Sequence, residues 1–320
     1  MAQPLFKRLH ERYPGSEIHV LAPEWTLPLF DLMPEVHQTI ANPFSHGELR
    51  LVDRYRFGKK LREKHYDWAI VLPNSLKSAM IPFFAHIPVR IGYAGEVRYG
   101  LLNDVRKLDE NTLPLMVERF TQLAEKRNTP LEKPVPYPAL NVAQNERDAL
   151  LARLGLSFDK PVAAFCVGAE YGPAKRWPAS HFAELAKMLS EKGYQVWLVG
   201  SDKDQDIGEE VRLASDDSCE NLCGKTSLKD AITLISAATL VITNDSGLMH
   251  VAAALDKPLV ALYGSSSPGF TPPLSNHARI ANLNLSCSPC FKRECPLGHF
   301  DCMTKLTAEQ VMKEISRLGF

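Results

Sequence analysis

The sequence has 320 residues, with 37 Lys and Arg balanced by 37 Asp and Glu. This length favours two domains, and the charge balance predicts no nucleic-acid partner, because such proteins usually carry a strong excess of basic residues. A hydrophobic fraction of 45% is typical of a folded globular protein. No apolar run approaches the roughly 18 residues of a membrane-spanning helix. The first residues also lack the order of a secretory signal, so the sequence predicts a cytoplasmic protein.

Helices and strands alternate along the first 128 residues. The predicted helices cover 2–13, 45–64 and 78–85, and the predicted strands cover 17–22, 68–72 and 90–93. The strand WAIVL at 68–72 is apolar on both faces, which is typical of a parallel sheet with helices on both sides. A doubly wound domain normally starts with a central strand, whereas this sequence starts with a helix. We therefore expect the first strand of this domain to be missing from the sequence as given.

Four prolines between 126 and 141 predict a linker, because proline interrupts helices and central strands. We place this linker at 129–143, between an amino-terminal domain at 1–128 and a carboxyl-terminal domain at 144–320. In the second domain, helices are predicted at 145–154, 179–192, 205–214, 227–238, 246–255 and 307–318, and strands at 162–167, 195–199, 240–243 and 259–262. The predicted fold class is α/β, with two doubly wound domains facing a cleft. The closing helix could pack back on the amino-terminal domain.

The most informative local pattern is the run LVITNDSGLMHVAAA at 240–254. A strand ends, a polar turn holds Asp245, Ser246 and Gly247, and a helix of small residues begins. The free N–H groups of such a helix start form an anion site, and His250 lies on the same helical face as Ser246. The alternative is that Asp245 or Ser246 only caps the helix and that His250 is a packed polar residue. On geometry alone we weigh the two interpretations equally.

Two further loops follow predicted strands. Lys175 and Arg176 would place cations beside a bound phosphate, although an exposed basic pair with Trp177 as a packing anchor is the simpler interpretation. In GSDKD at 200–204, a carboxylate at a strand end could accept hydrogen bonds from ribose hydroxyls. The same Asp202 and Asp204 could bind a divalent cation with a nucleotide diphosphate, but helix capping commonly explains either residue.

Four of the seven cysteines lie close together, at Cys287, Cys290, Cys295 and Cys302, with His299 among them. In a cytoplasmic protein this density suits a structural zinc ion or an iron–sulfur cluster better than disulfides. Thiols with no metal are the alternative.

Seven basic residues against two acidic ones occupy 50–64. A solvated helix face is the ordinary explanation of such a run. It could also attract an anionic membrane surface or a phosphorylated acceptor.

Long runs of the sequence resemble the ADP-heptose:lipopolysaccharide heptosyltransferase family. They are LPNSLKSA at 72–79, GEVRYGLLNDVR at 95–106, GPAKRWP at 172–178, NDSGLMHVAAAL at 244–255 and PLVALYGSSSPGFTPPLS at 258–275. The resemblance covers nearly the whole chain. It implies two Rossmann-like domains in the GT-B architecture and an inverting glycosyltransferase. Such an enzyme moves heptose from an ADP-heptose donor to the heptose/Kdo inner core of lipopolysaccharide, at the inner face of the cytoplasmic membrane.

The resemblance also implies roles for individual residues of the carboxyl-terminal domain. Lys175 would meet the pyrophosphate or the sugar, Asp204 would hold ribose hydroxyls, and Thr226 would lie beside adenine. Asp245, Ser246, Gly247 and His250 would surround the diphosphate and the heptose. No metal would be obligatory, although a divalent cation could stimulate the reaction.

On the acceptor side, the resemblance implies Asn74 and Ser75, together with the basic Lys59, Lys60 and Arg62. The family's general-base Asp lies in a first strand and glycine-rich loop that would precede Met1, so we assign no catalytic base. Two alternatives remain at this point: another sugar-nucleotide enzyme of the same architecture, and an inactive sugar-nucleotide-binding remnant.

Overall fold

The computed structural model describes residues 1–320, which form two units. The amino-terminal unit comprises Met1–Glu24 and Glu35–Pro136, and the carboxyl-terminal unit comprises Trp25–Pro34 and Tyr137–Phe320. The division after Pro136 falls inside the proline-rich stretch 129–143. The grouping of Trp25–Pro34 with the carboxyl-terminal unit was not predicted, because nothing in that short segment marks its packing partner.

The structure confirms the α/β class, since every pair of neighbouring strands is parallel. The α-helices are α1 (Gln3–Arg12), α2 (Leu27–Phe30), α3 (Leu51–Leu61), α4 (Leu76–Phe84), α5 (Met116–Thr121), α6 (Gln144–Leu154), α7 (Ala179–Glu191), α8 (Gln205–Ala214), α9 (Leu228–Ala237), α10 (Gly247–Ala254), α11 (Asp301–Thr304) and α12 (Ala308–Ser316). The strands are β1 (His19–Pro23), β2 (Gln38–Asn42), β3 (Trp68–Val71), β4 (Val89–Tyr93), β5 (Asp104–Arg106), β6 (Val162–Cys166), β7 (Gln195–Leu198), β8 (Glu220–Asn221), β9 (Leu240–Asn244), β10 (Leu259–Leu262) and β11 (Ala278–Ala281).

Six parallel strands form the sheet of the carboxyl-terminal unit, in the order β11-β10-β9-β6-β7-β8. Every residue of the central strands β6 and β9 is buried, which explains why these strands read as continuous apolar runs. Helix α7 packs with α8 and α12, and α9 packs with α6 and α10. The chain therefore supplies two groups of helices to cover the central strands.

The closing helix α12 belongs to the carboxyl-terminal unit. We expected that it could pack back on the amino-terminal domain, but its buried residues Val311 and Ile315 join the core that surrounds Phe165 and Phe182. The helix packs against α7 and the strands β10 and β11. Its start is fixed by a capping box, in which the Thr307 hydroxyl accepts a hydrogen bond from the backbone N–H of Gln310.

Two separate parallel sheets lie in the amino-terminal unit, one of β1 and β2 and the other of β3, β4 and β5. Helices α3 and α4 pack closely because Gly58 has no side chain. A Cβ atom at this position would lie 2.6 Å from Cβ of Phe84. Helix α3 begins at Leu51 rather than at residue 45, since Arg50 has a left-handed backbone with φ of 39°.

Candidate active site

The strand order of the carboxyl-terminal sheet creates a switch point between β6 and β9. The chain moves outward from β6 through β7 to β8, then returns to the other side of β6 at β9. In open parallel sheets, ligands bind beyond the carboxyl ends of the strands where the order reverses. The loop 167–178 follows β6 and the turn 245–246 follows β9, so two of the predicted binding segments meet at this point.

Asn244, the last residue of β9, joins the two segments. Its side-chain oxygen accepts a hydrogen bond from the backbone N–H of Trp177 at 3.0 Å. Its side-chain nitrogen donates to the carbonyl oxygen of Val167 at 2.8 Å. Asn244 is fully buried, and sequence reasoning gave it no role. The only signal in the sequence is an amide side chain directly after an apolar strand.

Lys175 and Asp245 form an ion pair at the switch point, with 2.6 Å between the Lys175 ammonium and the Asp245 carboxylate. Their side chains are only 17% and 4% exposed, so Lys175 is not part of an exposed basic pair. The ring of Tyr171 lies 5.0 Å from the Lys175 ammonium, within the range of a cation–π contact. Burying two charges costs solvation free energy, which the contact between them offsets only in part.

The start of helix α10 is open. The Ser246 side chain makes no capping hydrogen bond to the helix, so the alternative of a capping Ser246 is wrong. Apart from its chain neighbours and the backbone of its own helix, no heavy atom lies within 4 Å of the position that a Cβ on Gly247 would take. The N–H groups of the first helical turn have no partner within the helix, and such groups can bind an anion.

His250 lies one turn into α10 and is partly buried. Burial lowers the pKa of His250 to about 4, so the imidazole is neutral near pH 7. A neutral ring can both donate and accept a hydrogen bond, which suits sugar hydroxyls as well as phosphate oxygens.

Asp204 does what the capping interpretation predicts. Its carboxylate accepts hydrogen bonds from the backbone N–H of Ser201 at 2.9 Å and from the Ser201 hydroxyl at 2.8 Å. The carboxylate also lies against Gly168, where a Cβ would be only 2.4 Å away. Asp204 therefore connects the loops that follow β6 and β7.

Three buried hydroxyls at the carboxyl ends of strands have no hydrogen-bond partner: those of Thr226, Ser265 and Ser266. Thr226 lies between β8 and α9, and the two serines follow β10. An unpaired buried hydroxyl usually marks a place for a ligand, an ion or a water. Sequence reasoning missed both serines, although their position just after an apolar strand was a usable signal.

In the amino-terminal unit, Asn74 and Ser75 lie on the loop between β3 and α4, and Arg98 organises this loop. The buried guanidinium of Arg98 donates to the carbonyl oxygen of Pro73 at 2.6 Å and to the side-chain oxygen of Asn74 at 3.0 Å. Gly95 lies close behind, since a Cβ there would be 2.4 Å from the Asn74 carbonyl oxygen. Sequence reasoning did not identify Arg98, because a single arginine in a polar loop normally indicates solvent exposure.

The basic run at 50–64 separates into buried and exposed groups. Arg54 is buried on the ring of Phe44 and donates to backbone carbonyls. Arg62 donates to the carbonyl oxygen of Phe84 at 2.9 Å, so this residue connects α3 to α4 and is not a free cation. Lys59 and Lys60 remain exposed.

The four clustered cysteines carry free thiols, each partly buried. They line one pocket together with Ala174, Ser265 and His299. Burial, followed by the neighbouring thiols, raises the pKa of Cys302. A hydrogen bond from the backbone N–H of Phe300 is the main cause of a lowered pKa at Cys295. By contrast, burial raises the pKa of Cys166 to about 12, as for an ordinary core thiol.

The parallel sheet and its switch point between β6 and β9 define a Rossmann-like α/β protein. Residues 54–301 match the profile of glycosyltransferase family 9 (heptosyltransferase). The chain belongs to this family and is a glycosyltransferase.

Curated relatives match along almost the whole chain. Lipopolysaccharide heptosyltransferase 2 of Salmonella typhimurium is 49% identical, covering 99% of this chain and 94% of the relative. The enzyme of the same name from Escherichia coli is 48% identical with the same coverage. The solved structure of Escherichia coli ADP-heptose LPS heptosyltransferase II superposes with a TM-score of 0.89 at 46% identity, covering 99% of this chain and 93% of that one.

The lowered pKa of His250 predicts a pH-dependent stability. Its folded-state pKa of about 4 lies below the ordinary 6.5, so the unfolded chain binds the proton more readily. This contribution to the free energy of unfolding is complete above pH 6.5 and is lost as the pH falls towards 4. His250→Gln should flatten the decline between pH 7 and pH 5 in urea titrations. The exposed His277→Gln is the control, and equal slopes for both variants would contradict the assignment.

Proposed function

We propose that this protein transfers heptose from ADP-heptose to the inner core of lipopolysaccharide. The family membership and the two curated relatives support the activity. The observation that carries the proposal is the buried Lys175–Asp245 pair beside the open start of α10, which matches the needs of a nucleotide diphosphate donor.

Departure of ADP is the step that this site can assist. As the bond between the anomeric carbon and the diphosphate breaks, negative charge grows on the leaving phosphate. The Lys175 ammonium and the N–H groups of α10 are fixed before the reaction, so they stabilise this charge without reorganising. The diphosphate needs no obligatory divalent cation under this proposal, although an added cation could stimulate the reaction by pairing with it.

The two carboxylates of the site have different proposed roles. Asp245 holds Lys175 through one oxygen and has a second oxygen to accept from a heptose hydroxyl. The Asp204 carboxylate, which already accepts hydrogen bonds from Ser201, would also accept hydrogen bonds from ribose hydroxyls. Thr226 would lie beside adenine. The attacking acceptor hydroxyl must lose a proton, and we assign no residue of this sequence to that step.

The acceptor side of the proposal lies on the amino-terminal unit. The Asn74–Ser75 loop, held by Arg98, would present the acceptor sugar with its anionic groups near Lys59 and Lys60. Arg62 contributes by fixing α3 rather than by direct contact, because its guanidinium is already paired with α4.

We also propose that α3 contacts the anionic surface of the cytoplasmic membrane from the cytoplasmic side. None of the helices is long and apolar enough to cross a bilayer. The exposed face of α3 carries the apolar Leu51, Val52 and Tyr55 beside the basic Lys59 and Lys60. Apolar and basic side chains on one helix face are typical of a helix that lies in the membrane interface.

The activity has a direct test. Purified protein is incubated with lipopolysaccharide that lacks the outer heptose, and with ADP-heptose or a uridine-diphosphate sugar as donor. Mass spectrometry of the product should show one added heptose with ADP-heptose only. Transfer from the uridine donor alone would favour a different sugar-nucleotide enzyme. Binding of ADP-heptose without transfer under all conditions would indicate a binding protein.

The donor site predicts the effect of removing the Lys175 charge. Lys175→Met should raise the Kd for ADP in calorimetry by at least about tenfold, because a hydrogen bond to a charged group contributes roughly 1.5–3 kcal/mol. Lys187→Met is the matched control, since Lys187 lies on α7, outside the predicted binding segments, and pairs with Asp216.

Because Lys175→Met leaves the Asp245 carboxylate buried and unpaired, its thermal unfolding is measured as well. The double variant Lys175→Met with Asp245→Asn removes both charges and restores neutrality. It should fold and still bind ADP weakly. Native affinity in this folded double variant would refute the site.

If α3 contacts an anionic membrane, reversing the charge of Lys59 and Lys60 should weaken the binding of the protein to anionic vesicles. Lys59→Glu with Lys60→Glu should weaken sedimentation with phosphatidylglycerol vesicles by at least about tenfold, since each basic residue contributes about 1 kcal/mol near an anionic surface. Lys187→Glu with Lys203→Glu changes the net charge equally at exposed positions of the other unit. Equal weakening by both pairs would show that net charge, not α3, governs binding.

A further inference from the structure

We propose that Cys287, Cys290, Cys295 and Cys302 bind one thiophilic metal ion, of the class of Zn²⁺ or iron, and that this ion holds the loop carrying Lys175. The metal site itself is independent of the proposed transferase activity. Only its effect on ADP binding rests on that activity.

The four thiols gather around one short piece of backbone at the end of β10. The Ser288 hydroxyl, between Cys287 and Cys290, donates to the carbonyl oxygen of Gly264. The backbone N–H of Phe291 donates to the carbonyl oxygen of Ser265 at 2.6 Å. Cys302 reaches the same place from α11, since a Cβ on Gly264 would be 3.1 Å from its sulfur.

Hydrogen-bond donors suited to thiolates surround the pocket. The backbone N–H of Phe300 donates to the sulfur of Cys295 at 3.4 Å. The Ser265 hydroxyl is buried, lacks a partner and belongs to a residue that lines the same pocket. Metal-bound ligands are normally supported by such outer donors, and a bound thiolate would give this hydroxyl an acceptor.

The chemistry of the ligand set selects the metal. Four thiolates bind soft or borderline cations in a tetrahedron with metal–sulfur distances of about 2.3 Å for zinc. In the structure, no three of the potential ligands converge closely enough to hold an ion. Binding therefore requires the thiols to rotate inward around the shared pocket.

The segment 287–295, called the cysteine loop below, contacts the loop that carries Lys175. Between Cys290 and Cys295, the carbonyl oxygen of Arg293 accepts a hydrogen bond from the backbone N–H of Ala174 at 3.0 Å. The carbonyl oxygen of Phe291 accepts from the Tyr171 hydroxyl at 2.7 Å. Ala174 precedes Lys175, and the Tyr171 ring lies against the Lys175 ammonium. An ion that fixes the cysteine loop would consequently fix Lys175.

Metal content is the primary test. The full chain, purified under reducing conditions without chelators, should contain about one zinc or iron per chain by elemental analysis. Replacement with Co²⁺ should give the visible bands of a tetrahedral thiolate site and sulfur-to-cobalt charge-transfer absorption. Cys290→Ser and Cys302→Ser should each lose the metal, while Cys219→Ser, outside the cluster, should retain it. Folded wild-type protein that binds neither zinc, iron nor Co²⁺ would overturn the proposal.

ADP affinity tests the connection to the donor site. Cys290→Ser should bind ADP at least about fivefold more weakly than Cys219→Ser, with circular dichroism confirming that both are folded. Equal affinities in metal-free and metal-loaded protein would overturn the supporting role of the ion. If wild-type protein carried the metal but bound no ADP, the proposed transferase function would fail and the metal site would stand.

Discussion

The buried ion pair between Lys175 and Asp245 is the constraint on which the carboxyl-terminal unit depends. The loop after β6 carries Lys175 and the turn after β9 carries Asp245, and the two side chains must come within hydrogen-bond distance. Asn244 holds the two segments together through hydrogen bonds to Trp177 and Val167. Separating the charges would leave Asp245 buried without a partner, at a cost of several kcal/mol. The pair therefore fixes both loops. Such preorganisation lets a site stabilise charge that develops during a reaction, because the cations need not move to meet it.

Much of the carboxyl-terminal unit could be predicted because its central strands are buried on both faces and the helices α9 and α12 begin with capping boxes. The predicted strands at 162–167, 195–199, 240–243 and 259–262 all agree with the structure to within one residue at each end. The short strands β2, β5, β8 and β11 were missed. Strands of two to five residues that contain polar or partly buried positions give neither an apolar run nor a regular alternation.

The candidate site was predictable to the extent that it lies in strand-to-helix turns. Lys175, Asp245 and Gly247 were all found in this way, and the structure brings the first two into contact. Asn244, Ser265 and Ser266 were not found, because their importance depends on which loops the sheet order brings together. Arg98 and Arg62 show the same limit in the amino-terminal unit. A sequence shows that arginine is charged, but only the fold shows that backbone carbonyls replace its solvent.

If the ends of β6 and β9 form the proposed nucleotide diphosphate site, bound ADP should protect the backbone amides there from hydrogen exchange. Exchange is followed in the full chain with and without saturating ADP. Exchange should slow on ADP addition in two segments, at 172–176 and at 245–249, because the first contains Lys175 and the second contains the first N–H groups of α10. Protection confined to other segments, with these two unchanged, would contradict this placement of the site.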